Sequence, residues 1–109
     1  MRITYVPQRM DVDISYMFDG ERITATANGV SDTFDFSHLP DGEAQVELIE
    51  TVLPENPIRS AKRVAGELCV ELLRYVPARP QESDYDTTAE YETALDAWKR
   101  LWTDIEEVV

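Results

Sequence analysis

Few residues of this chain have the type and spacing that chemistry needs. His38 is the one histidine. It follows Ser37 in Phe34-Asp35-Phe36-Ser37-His38-Leu39-Pro40-Asp41-Gly42. A general base needs a nucleophile within reach and a third group to orient it. Neither is spaced for that role here, so His38 is expected to make a structural hydrogen bond at a strand end. Asp11 with Asp13, and Asp84 with Asp86, are the paired carboxylates. Neither pair lies in a loop that supplies oxygens at the spacing of a calcium-binding loop. Solvated faces are expected there, and no metal or cofactor. Cys69, the one cysteine, makes neither an internal disulfide nor a cysteine-based zinc site. Set between Leu68 and Val70, it is expected to be a buried, inert thiol. No enzyme emerges from these residues.

A stripe of large apolar side chains near the C-terminus is the stronger signal. Thr87-Thr88-Ala89-Glu90 is a capping box. After it Tyr91, Leu95, Trp98, Trp102, Ile105 and Val109 recur at helical spacing, flanked by Ala94, Leu101 and Val108. The spacing predicts an amphipathic helix over 87–109. About 22 residues at 1.5 Å each give roughly 33 Å. A helix of that length overhangs a small sheet, so part of the stripe is expected to meet another chain. Tyr91, Leu95, Trp98, Leu101, Trp102 and Ile105 are the candidate interface, for a protein partner or a second copy. Glu106 and Glu107 oppose the helix dipole, and the helix is expected to fray there.

The elements before the helix read as strands. Arg2 to Val6 is a short first strand, ended by Pro7. Val12, Ile14, Tyr16 and Phe18 share one face of a second strand. Asp19-Gly20 and Asn28-Gly29 are hairpin signals on either side of Ile23, Ala25 and Ala27. The next strand carries Phe34 and Phe36, and Pro40-Asp41-Gly42 turns the chain away. Together these predict an antiparallel meander. Gly42 to Pro57 fits a helical turn or two, or a strand entered at Val46. Residues 58–76 fit a hairpin about Ala65-Gly66 or a helix, with the hairpin slightly favoured. If it is a hairpin, Arg59, Lys62, Arg63 and Arg74 cluster and balance nearby carboxylates. The expected fold is α+β: a β-rich part over 1–77, a linker over 78–86 and the helix over 87–109, in one domain.

Composition sets further bounds. The chain has 109 residues, 22 acidic against 10 basic, and a net charge of −12. That balance argues against gripping nucleic acid through its phosphates. It also raises a sharper reading, an acidic decoy that occupies a host DNA-binding protein. The acid is spread through the chain and mixed with base in residues 1–77, which counts against rows of carboxylates at phosphate-like spacing. No apolar run approaches the roughly 18 residues of a membrane span. Met1-Arg2-Ile3-Thr4 is not a signal peptide, so a soluble protein of the cytoplasm is expected.

The order of motifs resembles a family of small uncharacterised proteins of tailed bacteriophages and prophages. The resemblance runs through Met1-Arg2-Ile3-Thr4, Pro7-Gln8-Arg9, Asn28-Gly29 and Phe34 to Gly42. Arg63-Val64-Ala65-Gly66-Glu67-Leu68-Cys69-Val70-Glu71-Leu72 looks like that family's second hairpin, with Ala65-Gly66 in place of the usual Asp-Gly or Asn-Gly pair. Beyond Pro77 the chain departs from the family's forms. Such proteins are typically encoded beside tail and tail-fibre genes. The resemblance therefore implies a non-enzymatic role in the virion or its assembly, in the bacterial host's cytoplasm, and lends no catalytic residues.

Overall fold

The computed structural model describes residues 1–109 as a small α+β fold, mostly β, with one helix near the C-terminus. The strands form two sheets where one small sheet was expected. Strands β2 (Ile14–Asp19), β3 (Arg22–Ala27) and β4 (Val30–Asp35) pair antiparallel in sequence order. The other sheet has the order β5-β6-β7-β1-β8. Its members are β1 (Arg2–Arg9), β5 (Gly42–Glu43), β6 (Ile58–Val64), β7 (Glu67–Val76) and β8 (Ile105–Val108).

The strand β1 does not join the β2–β4 meander. A bend at Met10–Asp13, where Arg9 reaches Asp11 at 3.0 Å, carries the chain out of the first sheet. Nor does Pro7 end β1, which pairs in parallel with β7 from Arg2 to Arg9. The Met10 amide donates to Val76 O at 3.1 Å. Amide directions alternate along a strand, so the position of Pro7 faces away from β7. On that side β8 pairs only as far as Tyr5, and the missing donor costs no ladder bond.

The inner faces of the two sheets close on one core. Period-2 alternation puts Ile23, Ala25 and Ala27 of β3 inward, with Phe34 of β4 beside them. Phe36 follows on the same face just past the strand end. Ile3 of β1 and Leu68, Val70 and Leu72 of β7 meet them from the other sheet, together with Ile58 and Ala61 of β6. Burying each large aliphatic side chain is worth about 1.5–3 kcal/mol. Cys69 falls on the opposite face of β7 and is half-buried, not buried as expected.

Residues 58–76 are a hairpin, as β6 and β7 pair antiparallel about Ala65-Gly66. Both turn residues have positive φ, +51° and +84°. That is the two-residue hairpin geometry that matches strand twist. Ala65 adopts a left-handed conformation its Cβ disfavours by roughly 1–2 kcal/mol. The first hairpin differs from expectation by one residue. Its turn residues are Gly20 and Glu21, of which only Gly20 has positive φ, so it is a turn with glycine at the first central position. Between Gly42 and Pro57 the chain forms the two-residue strand β5 and a single 3-10 turn at Val46–Leu48.

Glu21, placed at that turn, receives Arg63 from β6 of the other sheet. The guanidinium donates to both Glu21 carboxylate oxygens at 2.9 and 3.0 Å. It also donates to the carbonyls of Leu39 at 2.6 Å and of Phe36 and Gly66 at 3.0 Å. Arg63 therefore does not join a basic patch. Arg74 is drawn elsewhere, to Thr103 O at 3.1 Å. On the loop side, Asp32 accepts from Thr51 Oγ1 at 2.7 Å and from the Val52 amide at 3.2 Å. These bonds hold the loop after the 3-10 turn against β4.

Two predictions come from these contacts. The Arg63 hydrogen bonds hold the Glu21 carboxyl below its ordinary value of 4.5. The Thr51 hydroxyl acts likewise on Asp32, and Ser37 on Asp35, each below 3.8. Folded values below unfolded ones mean that this stability is present above the unfolded values and lost as pH falls through the folded ones. Thermal melts should therefore show a falling midpoint as the solution is taken from pH about 5 towards pH about 3. Arg63→Met should lower the midpoint at neutral pH and flatten that acid limb. Separately, Ala65→Asn should raise stability by about 0.5–1 kcal/mol, because asparagine tolerates the left-handed conformation better than alanine. Urea unfolding of the two proteins measures the difference.

Candidate functional site

The helix α1 spans Thr88–Arg100, 13 residues and so roughly 20 Å, not the longer element predicted. Its start is where the capping box put it, since Thr87 Oγ1 accepts from the Glu90 amide at 3.1 Å. Its last turn carries Lys99 and Arg100, which complement the negative end of the helix dipole. Beyond Leu101 the chain turns and becomes β8, antiparallel to β1. The expected helix over 87–109, fraying at its end, is thus corrected: its last part is a strand. Continuing the helix would set Glu106 and Glu107 against its dipole. In β8 Glu106 instead meets Arg2 at 3.2 Å, and Glu107 Oε1 accepts from Tyr5 Oη at 2.6 Å. β-branched Ile105, Val108 and Val109 suit the strand.

The stripe therefore divides. Tyr91, Leu95, Trp98 and Leu101 stay on the helix or its cap and are half-buried. Trp102 follows in the turn and is 42% exposed. Ile105 leaves for β8, where it is 43% exposed. No residue of α1 is buried. The helix does not dock onto either sheet; it leans on the linker that leads into it. Trp98 Nε1 donates to Pro77 O at 2.8 Å, which holds the helix's middle beside the end of β7. The rings of Trp98 and Trp102 meet edge to face with centroids 5.8 Å apart. Tyr91 packs at 6.1 Å against Tyr85, which the single 3-10 turn at Glu82–Asp84 presents.

Between helix and linker runs a groove of about 670 Å³. Trp98, Leu101 and Ala94 line one side, and Pro77, Pro80 and Tyr85 the other. Stacking, apolar burial and a few polar contacts are what such a groove can do. The linker residues were not singled out in the sequence. Tyr85 falls between two polar stretches with no periodicity around it, so no pattern marked it.

Ile105 lines a second cleft, of about 360 Å³, with Tyr5, Tyr16, Tyr75, Arg74 and Glu107. Tyr5 and Tyr16 pack at 6.0 Å. Burial, and for Tyr5 also the hydrogen bond to Glu107, pushes both phenols above their ordinary value and keeps them neutral donors. His38 is exposed just after β4 and is held by no nucleophile or carboxylate, and the expected structural hydrogen bond is not made. The Ser37 amide instead donates to Asp35 at 2.9 Å. Asp11 and Asp84 are exposed, and no group of three ligating side chains gathers around either. No helix is long and apolar enough to cross a membrane.

No family model matches the chain, and neither a curated protein nor a solved structure matches it.

The arm's independence from the sheets is measurable. Trp98→Phe removes the indole donor to Pro77 and should speed amide exchange throughout Thr88–Arg100. The unfolding free energy of the two sheets should stay within about 0.5 kcal/mol, as for substitutions away from a core.

Proposed function

We propose that this chain is a non-enzymatic accessory protein of a tailed phage or prophage, which acts in virion or tail assembly by offering its helical arm to a protein partner. The observation that carries the reading is the position of α1. A helix with Tyr91, Leu95, Trp98 and Leu101 on one side, and Trp102 beyond its end, packs on its own linker alone. Aromatic residues of this kind are enriched at the centres of protein interfaces. The phage setting rests on the motif resemblance over Met1 to Leu72. Under this reading the protein works in the cytoplasm of the bacterial host and is carried with the particle it helps to build. It needs no cofactor, no nucleic acid and no membrane.

The alternative, an acidic decoy for a host DNA-binding protein, has less support. Arg2, Arg9, Arg22 and Arg63 each pair with a carboxylate on the β part, which breaks up any acidic row.

The test is a pull-down from induced lysogens with the full chain as bait, repeated with Trp98→Ala/Trp102→Ala. The expected result is recovery of a tail or capsid component by the wild type. The double variant should recover at least about tenfold less, the loss of one modest hot spot. Equal recovery by both proteins would remove the arm from the reading. Recovery of a host DNA-binding protein instead would favour the decoy.

A further inference from the structure

The strand β8 is held in an unusual way for a sheet member. All four of its residues are exposed, so no side chain anchors it in the core. Its hold is main-chain pairing with Arg2–Tyr5, reinforced at three points. These are the Arg2–Glu106 ion pair, the Tyr5–Glu107 hydrogen bond, and a reciprocal pair of bonds between Met1 and Val109 at 3.0 and 2.9 Å. The helix that delivers β8 touches the sheets little, and the molecule is drawn out to 54 × 28 × 22 Å. Between helix and strand lies only the short turn Leu101–Asp104, fastened by Arg74 to Thr103 O.

The geometry points to strand exchange: the Leu101–Asp104 turn opens, and β8 pairs with β1 of a second copy while that copy's β8 returns the pairing. The elements on either side of this hinge keep their partners. Helix α1 remains on its linker through Trp98 and Pro77, and β8 finds an identical β1 edge. Every bond that β8 makes within one chain is remade between two, including Arg2 to Glu106 and Tyr5 to Glu107. The apolar surface uncovered on the way is chiefly that of Ile105, which leaves the cleft beside Tyr5, Tyr16 and Tyr75 and re-enters the same cleft on the second copy. Exchange of an identical element is a low-cost route to a dimer. The net charge of −12 opposes association. At physiological ionic strength exposed charges farther apart than about 8 Å are largely screened. The partner is thus a second copy of this chain, and the surface it meets is the β1 edge, apart from the tryptophan face of the arm. The inference shares with the proposed function only the arm's looseness. If strand exchange fails, recovery of a partner through Trp98 and Trp102 is untouched.

A disulfide trap reads the exchange directly. Thr4 and Glu106 stand opposite each other. The reciprocal Met1–Val109 bonds, three residues along, make theirs a non-hydrogen-bonded pair. Cα atoms in such a pair lie about 4.5 Å apart, within disulfide range. The full chain carrying Cys69→Ser, Thr4→Cys and Glu106→Cys is refolded at high and at low concentration, then oxidised. The expected result is an inter-chain disulfide at high concentration, seen as a doubled mass on a non-reducing gel, and an internal disulfide on dilution. An internal disulfide at every concentration would overturn the proposal. So would a dimer in light scattering that falls apart on the non-reducing gel, since that dimer uses another face. Should the triple variant not fold, the wild-type chain mixed from labelled and unlabelled halves answers the same question. Isotope-filtered contacts between Ile3 and Glu107 of different chains support exchange, and their absence in a concentrated sample refutes it.

Discussion

Arg63 leaves the end of β6 beside the β6–β7 turn, crosses the open end between the two sheets, and ends among acceptors from three separate segments. Glu21 belongs to the β2–β3 turn, Phe36 and Leu39 to the stretch after β4, and Gly66 to the β6–β7 turn. One planar fork of donors thus fixes where the sheets sit relative to each other. Only arginine supplies enough donors in that shape, and a lysine in its place would leave carbonyls unsatisfied. The alternating apolar residues close the core once the sheets are set, but they do not choose the setting. A greasy face slides; a forked hydrogen-bond cluster does not.

What could be read from the sequence was what local pattern controls. The inward alternation of Ile23, Ala25 and Ala27, the burial of Phe34 and Phe36, and the Thr87 cap all depend on residues a few positions apart. The positive φ of both Asn28 and Gly29 belongs to the same class. What could not be read was pairing across distance. Nothing in Arg2–Arg9 announces a parallel partner near residue 70, and Pro7 reads locally as a stop. It is harmless only because its side of the strand has no neighbour. Arg63 looked like one member of a basic cluster, since a side chain's direction depends on the acceptors waiting for it.

The C-terminal segment shows the competition most plainly. Trp98, Trp102, Ile105 and Val109 fit one helical face, yet β-branched Ile105, Val108 and Val109 also suit a strand. A helix there sets two glutamates at the wrong end of a dipole, whereas the β1 edge offers Arg2 and Tyr5 to the same carboxylates. Tertiary pairing therefore decided between two patterns of similar local merit. The candidate interface was legible as a set of residue types, and its division between arm, turn and strand was not.

The parallel pairing of β1 with β7 also has a meaning in time. During synthesis β1 emerges well before its parallel partner, since Val76 follows Arg9 by about 67 residues. At 5–20 residues per second that is roughly 3–13 s. Throughout that interval the β2–β4 meander can close on itself, because its turns are two residues long, while β1 stays a solitary strand with both edges bare. Strand β1 is thus placed only long after it is made. Arg2 and Arg9, at the two ends of this waiting strand, put charge where a neighbouring nascent chain would otherwise find an invitation to pair.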